Sequence, residues 1–233
     1  MNLSSALRYS FDDPLWVNKL AIAAVLTFAT VLLMPLLLAG LLPLCVLLGY
    51  AVGIVRRVRQ SKPYPLPDWT QYEELFSRGA GLLAAILYYN LPLLLLSCCL
   101  WTVPGFFGGD LTGSYVTLIF LCCLLPLVLV YTAFAWAVLA VGTVRYAQGS
   151  PYKVFFKTSR LWGTASSLGG ISAQWLLTSL IVNLGASLLL IIPCVGWVAF
   201  AALVIPVQAH LLGQYARHIE HHDNNRQRPT SRR

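Results

Sequence analysis

Histidines recur at multiples of four residues near the end of the chain. His210, His218 and His222 follow this spacing, with Gln214 between them and His221 nearby. On a continuing helix such residues share one face, where two imidazoles are able to hold a metal ion. The asparagines and arginines that follow are typical of a solvated tail. We therefore interpret the segment as a fraying tail and predict no metal site.

Six cysteines are a second candidate source of chemistry. They include two adjacent pairs, and none has the spacing of a metal-binding or redox motif. All lie in or beside apolar segments, where a cysteine behaves as a small hydrophobic residue. We predict neither a disulfide framework nor redox chemistry from Cys45, Cys98, Cys99, Cys122, Cys123 and Cys194.

Two acidic pairs, Asp12-Asp13 and Glu73-Glu74, complete the candidates for chemistry. We interpret both as solvated faces of short helices at a membrane surface. The sequence has no nucleotide-binding loop, nucleophile elbow or zincin pattern. We therefore expect no enzyme, no catalytic residue and no cofactor.

The elements that would position these residues are membrane-spanning helices. Of the 233 residues, 58% are hydrophobic and 10% are charged, and the mean hydropathy is +0.72. Three stretches, 20–55, 79–144 and 161–216, contain no charged residue except Asp110. Each is too long for one span of about 20 residues and suits a hairpin of two. The sequence predicts an all-α protein with six spans in three hairpins; the short first hairpin would also fit a re-entrant loop.

The basic residues give this arrangement a direction. In a six-span arrangement all 16 Lys and Arg residues lie on one side, and the opposite loops carry only Asp110. The positive-inside bias makes the basic side cytoplasmic, with both termini inside. We expect a plasma-membrane protein that attracts anionic lipid headgroups and binds no nucleic acid.

A short motif is repeated along the chain. Residues 51–56 (AVGIVR) match residues 140–145 (AVGTVR) at five of six positions, and Leu212-Gly213 with Arg217 is a fainter third copy. We infer units of about 1–60, 61–149 and 150–216 within one transmembrane domain, followed by a basic polar tail, 217–233. Units of two spans would be related by an axis along the membrane normal. Small residues predicted at close helix contacts are Gly49, Gly53, Gly142, Ala209 and Gly213.

Each hairpin is preceded by a short amphipathic piece, at 1–15, 68–78 and 151–162. We predict helices that lie along the cytoplasmic interface. The alternative is an ordinary approach to a span, in which the aromatic residues only mark the depth of the interface. The predicted interfacial residues are Trp16, Trp69, Tyr72, Phe76 and Trp162.

Four sequence motifs are similar to those of a known family. They are Ala6–Tyr9, Phe11–Trp16, the segment from Gly49-Tyr50 to Arg57, and Leu66–Trp69. In these motifs the chain resembles the uncharacterised membrane family catalogued as domain of unknown function 4013. The resemblance implies a prokaryotic multi-pass protein without an established activity, so no catalytic residue can be carried over.

Two functional hypotheses follow from spans that are almost free of charge. The first is a non-enzymatic scaffold, accessory subunit or lipid-organising protein; the subunit version would need a membrane-protein partner. The alternative is a carrier for an apolar or amphiphilic molecule such as a lipid or quinone, which would need an apolar cavity.

Overall fold

Helices make up most of the part of the chain that the structure describes. A computed structural model describes residues 2–36, 38–64, 66–106, 111–192 and 195–227. Asp110, Cys194 and residues 228–233, which enter the argument above, lie outside these ranges. The α-helices within them are α1 (Leu3–Arg8), α2 (Trp16–Leu33), α3 (Leu38–Arg59), α4 (Tyr72–Phe106), α5 (Leu111–Ala147), α6 (Thr158–Ser167), α7 (Gly169–Ser187) and α8 (Val195–Gln227).

Six helices of the described ranges are long and apolar enough to cross a membrane, which confirms the predicted number. The first two are separate helices joined by a 3-10 turn at Met34–Leu36. Each contributes a 21-residue apolar segment, or about 30 Å of helix, the thickness of the hydrocarbon layer. The six segments are Trp16–Leu36, Ala39–Arg59, Tyr72–Cys98, Cys122–Ala147, Gly169–Ile191 and Gly196–Asn224.

Two residues after each of helices α3 and α5, the backbone adopts a left-handed conformation. Ser61 follows α3 with φ of 52°, and Gly149 follows α5 with φ of +97°. A helix cannot continue through this conformation. Pro63 and Pro151 come two residues later, where a proline resists a return to helix.

Three of the long helices lie at the centre of the bundle. Helices α3, α5 and α8 contact one another. Each of the others lies against two of them: α2 against α3 and α8, α4 against α3 and α5, and α7 against α5 and α8. Each outer helix therefore packs on its neighbour in sequence and on one further inner helix.

Buried side chains gather at one end of the bundle, which we call the basic end because Lys19, Arg57 and Arg145 lie there. Tyr50 on α3 and Val138 on α5 are fully buried at 0% exposure. Towards the other end, residues 91–98 of α4 and 122–130 of α5 are exposed or half-exposed throughout. The helices pack tightly at the basic end and separate away from it.

Glycines let α3 and α4 approach backbone to backbone. A Cβ atom added at Gly49 would overlap the carbonyl oxygen of Leu75, and one added at Gly79 would overlap that of Cys45. A Cβ atom added at Gly213 of α8 would similarly lie only 2.6 Å from the side chain of Val58 on α3. Small residues are what permits such close approach between membrane helices.

Two of the three repeat glycines, Gly53 and Gly142, make a different contact from the one we expected. A Cβ at Gly53 would lie 2.9 Å from Pro67, and one at Gly142 would lie 2.7 Å from the ring of Phe155. Both partners belong to the segments that precede the next hairpin, 66–71 and 150–168, which we call lead-in segments together with 2–15. These glycines therefore seat lead-in segments rather than spanning helices. Ala209, also predicted at a helix contact, is buried.

The lead-in segments are less regular than the predicted interfacial helices. The first contains α1 and a 3-10 turn at Tyr9–Phe11, and the third has a 3-10 turn at Tyr152–Phe156 before α6. In the second, residues 68–71 are not helical, and α4 begins at Tyr72 and continues as a span. The reason is that Trp69 turns inward and is buried, which leaves no separate surface helix.

Residues 217–227 continue α8 as helix rather than fraying. Helix α8 continues to Gln227, and Ile219 is fully buried. Glu220 forms an ion pair with Arg59 at 3.1 Å, and Asp223 forms one with Arg145 at 2.7 Å. These two carboxylates tie the end of α8 to the ends of α3 and α5, which corrects the expectation of a solvated tail.

We predict that Gly79→Ala destabilises the protein by about 2 kcal/mol or more, because the added methyl group must push the backbones of α3 and α4 apart. Thermal unfolding in a mild detergent, followed by circular dichroism, measures the effect. Gly170→Ala is the matched control, since nothing lies within 4 Å of its Cβ position. Equal melting temperatures for the two variants would contradict the close α3–α4 contact.

Candidate functional site

The basic end contains a buried charge held between two carboxylates. The ammonium Nζ of Lys19 lies 2.9 Å from Asp13 Oδ2 and 2.9 Å from Asp68 Oδ1. It also donates a hydrogen bond to the carbonyl oxygen of Leu66 at 3.1 Å. The side chains of Lys19 and Asp13 are only 10% and 2% exposed. All three donor hydrogens of the ammonium therefore have an acceptor.

Arg57 completes this group, which we call the Lys19 cluster (Asp13, Lys19, Arg57, Leu66 and Asp68). Its guanidinium donates to the carbonyl oxygen of Leu66 at 2.8 Å and lies 3.7 Å from Asp68 Oδ2. Two carboxylates thus face two cations, and the cluster has no net charge. Matched, hydrogen-bonded charges are the form in which ionic groups are tolerated in a buried place.

Local backbone structure fixes Asp13 at the start of α2. Its Oδ1 accepts a hydrogen bond from the backbone N–H of Leu15 at 2.9 Å, and its carbonyl oxygen accepts one from Trp16 at 3.0 Å. Such an aspartate turn places the second carboxylate oxygen towards the first turn of the helix. Lys19 lies there, one turn into α2.

An aromatic pair covers the cluster from the side of α3. Trp69 stacks on Tyr50 with ring centroids 4.1 Å apart and an interplanar angle of 8°. Its indole N–H donates to the carbonyl oxygen of Lys19 at 3.2 Å. Trp69 thereby joins the second lead-in segment to α2 and α3 together.

The electrostatics of the cluster favour its ionised form. The hydrogen bond from Lys19 is the main cause that lowers the pKa of Asp68 below its ordinary value of 3.8. A carboxyl group whose pKa falls on folding contributes stability above its ordinary pKa. That contribution is lost as the pH drops through the lowered value. The Asp68 ion pairs are therefore intact at neutral pH.

Among the described residues near this cluster, three buried hydroxyl groups have no hydrogen-bond partner. They belong to Tyr9, Ser10 and Tyr50. Burial raises the pKa of Tyr9, which keeps its phenol neutral. The Lys19 cluster itself joins the first and second lead-in segments to α2 and α3.

A second contact joins the chain's first residues to α8. His210 packs its ring on Tyr9 with centroids 4.2 Å apart, and its Nδ1 lies 3.2 Å from Gln214 Nε2. The side-chain amide of Gln214 also accepts a hydrogen bond from the backbone N–H of Asn2 at 2.8 Å and donates one to the carbonyl oxygen of Asn2 at 3.0 Å. The predicted histidine face thus seats the first lead-in segment. Among the described residues, no group of three His, Cys, Asp or Glu side chains is placed to hold a metal.

The predicted interfacial aromatic residues fall into two classes. Trp69 is buried, whereas Tyr72, Phe76 and Trp162 are 53%, 39% and 44% exposed. Trp162 packs on Phe134 of α5 at 4.9 Å, and Trp16 is half-buried beside Phe11. Only the exposed members have the side-chain placement that an interfacial position requires.

The sequence interpretation missed the Lys19 cluster. It took Asp13 for a solvated residue and Asp68 for the first residue of an interfacial helix. One signal was present: Lys19 stands at the edge of a 36-residue stretch without charges, where an unpaired cation is costly. The sequence did not reveal which carboxylates would reach it.

Comparison with known proteins places these motifs in a family. A family model described as "Protein of unknown function (DUF4013)" matches residues 32–196, more than two thirds of the chain. This confirms the resemblance seen in the sequence. The match includes Gly49–Arg57 and Leu66–Trp69 but neither Asp13 nor Lys19, and Lys19 contacts Leu66 and Asp68 in space. No curated protein and no solved structure matches the chain.

We predict that Lys19→Met lowers the free energy of unfolding by about 3 kcal/mol, because it leaves Asp13 buried without a counter-charge. Titration with a denaturing detergent measures this quantity. Asp13→Asn combined with Lys19→Met should recover part of the loss, since it removes the unpaired charge.

Arg8→Met is the control for this prediction. Arg8 faces Asp12 at 3.7 Å in an exposed pair, which contributes less than about 1 kcal/mol. If Lys19→Met costs no more than Arg8→Met, the cluster does not hold the basic end together.

Proposed function

The chain belongs to the DUF4013 family of proteins of unknown function, and from that premise we propose a non-enzymatic, lipid-organising membrane protein. It lies in a prokaryotic plasma membrane with six spans and with both termini in the cytoplasm. Its basic end gathers anionic lipid in the cytoplasmic leaflet.

The placement of charge supports this orientation. Helices α3 and α5 carry Arg56, Arg57, Arg59 and Arg145 in their last turns, and all of these lie at the basic end. The described parts of the opposite end contain no Lys or Arg. Retention of basic residues on the cytoplasmic side is the general rule for such proteins.

The packing supports three repeated hairpins, α2–α3, α4–α5 and α7–α8. In each, the second helix is an inner one, and the lead-in segment lies against the inner helix of another hairpin. Tyr50 and His210, each three residues before a repeat glycine, both pack on an aromatic residue of a lead-in segment. These correspondences fit a threefold arrangement about the membrane normal.

Three clefts at the basic end carry the proposal. Each lies between the end of an inner helix and a lead-in segment, and each is lined by one arginine of the repeat: Arg56, Arg145 or Arg217. Their volumes are about 480, 220 and 730 Å³, and we call them the first, second and third cleft. Basic clefts at this depth suit phosphate headgroups.

A carrier for an amphiphilic molecule is the second candidate, and one observation favours it. Two apolar grooves, of about 650 and 570 Å³, flank the line where α5 meets α7. Both include Ala133, Ala173 and Leu176 in their walls. A carrier should speed the movement of a labelled lipid between the leaflets of a vesicle, whereas a lipid organiser should not.

The proposal predicts selective retention of anionic lipid. Protein reconstituted into vesicles of equal phosphatidylglycerol and phosphatidylcholine, and extracted in mild detergent, should keep phosphatidylglycerol in clear excess because only its headgroup has net charge. The excess should shrink as salt is raised, since ions screen exposed charges. Mass spectrometry of the retained lipids gives the ratio, and a ratio equal to that of the vesicles would refute the proposal.

A further inference from the structure

Helix α6 separates a basic cleft from an apolar groove. It packs on α5 through Leu161 and Ala165, which are 3% and 2% exposed. Leu161 and Thr164 line the second cleft on one flank, and Trp162 and Ser166 line the larger apolar groove on the other. A single ten-residue helix thus borders both environments.

The second cleft has an excess of positive charge. Its lining includes Arg145, Lys153, Lys157 and Arg160 and no carboxylate. Among the described residues, only Asp223 forms an ion pair with any of these four cations, at Arg145. The first cleft differs, because it is lined by Asp68 and Glu74, which pair with its own arginines.

The groove on the other flank has the character of a site for hydrocarbon. Its walls include Leu127, Val130 and Leu176, and small residues such as Ala133 form its floor. From Leu127 to Ala137 it follows α5 for about 15 Å. Its serine at position 172 is already hydrogen-bonded to the carbonyl oxygen of Ala165 and to Tyr215.

We propose that α6 and the adjoining parts of α5 and α7 form a binding site for an anionic phospholipid. The phosphate lies in the second cleft, and an acyl chain lies in the groove. A cationic pocket beside a hydrocarbon-lined groove at the depth of an interfacial tryptophan matches both halves of such a molecule. This inference rests on the proposed function and assigns it a specific place.

Native mass spectrometry of detergent-purified protein, titrated with phosphatidylglycerol, tests the site. Lys157→Gln with Arg160→Gln should weaken the tightest binding step about tenfold. The matched control compares Lys157→Gln alone with Arg8→Gln, since each removes one cation and Arg8 is an exposed residue that lines none of the three clefts. An equal loss in these two single variants would mean diffuse attraction to the surface, and would overturn the site while leaving the proposed function intact.

The groove has its own pair of variants. Ala133→Trp should fill it and weaken the same binding step, whereas Ala84→Trp on an exposed position of α4 should not. Inorganic phosphate added in excess should fail to displace the lipid, because it has no acyl chain. Full displacement by phosphate would point to a free-anion site, and an unaltered affinity in Ala133→Trp would exclude the groove. Wild-type protein with no preference for phosphatidylglycerol over phosphatidylcholine would refute the proposed function itself.

Discussion

Lipid does not solvate charge, and this constraint determines where the chain keeps its ionic groups. Lys19 lies at the edge of the first span and is buried, so its cation is costly unless it is paired and hydrogen-bonded. Its charge is retained because Asp13, Asp68 and a carbonyl oxygen accept its hydrogens. These acceptors come from two lead-in segments. The hydrogen bonds of one cation therefore fix both the segment before α2 and the segment before α4. Much of the basic end is organised around that requirement.

The helices also pack closely in the part of the bundle next to the basic end, but not in the part further from it. The glycines of α3 and α4 bring two backbones together near the Lys19 cluster, and α8 is tied to α3 and α5 by ion pairs. Further along, apolar grooves lie on either side of the line where α5 meets α7. This combination of a packed cationic end and apolar grooves is what the proposed lipid site requires, with the headgroup at the basic end and an acyl chain in a groove.

The number and identity of the spanning helices could be predicted from the sequence because hydropathy is a local property. The family motifs were also visible as residues, but their purpose was not. In the sequence, Asp68 has the position of a residue that begins a helix. Only the fold shows that Lys19, 49 residues earlier in the chain, contacts it. Gly79 was missed for the same reason: its value depends on which helix lies opposite. The packing at the end of α8 could have been predicted more easily, because Ile219, Glu220 and Asp223 have the spacing of residues on one helix face.

The central claim is that the basic end lies in the cytoplasm, and topology reporters test it most directly. Reporters whose activity depends on the compartment would be fused within residues 60–64, after Gly149 and after Gln227, with a fourth after Phe106 at the opposite end. The account predicts cytoplasmic signals from the first three and an external signal from the fourth. An external signal from any of the first three would contradict the orientation, and with it the assignment of the clefts to the cytoplasmic leaflet.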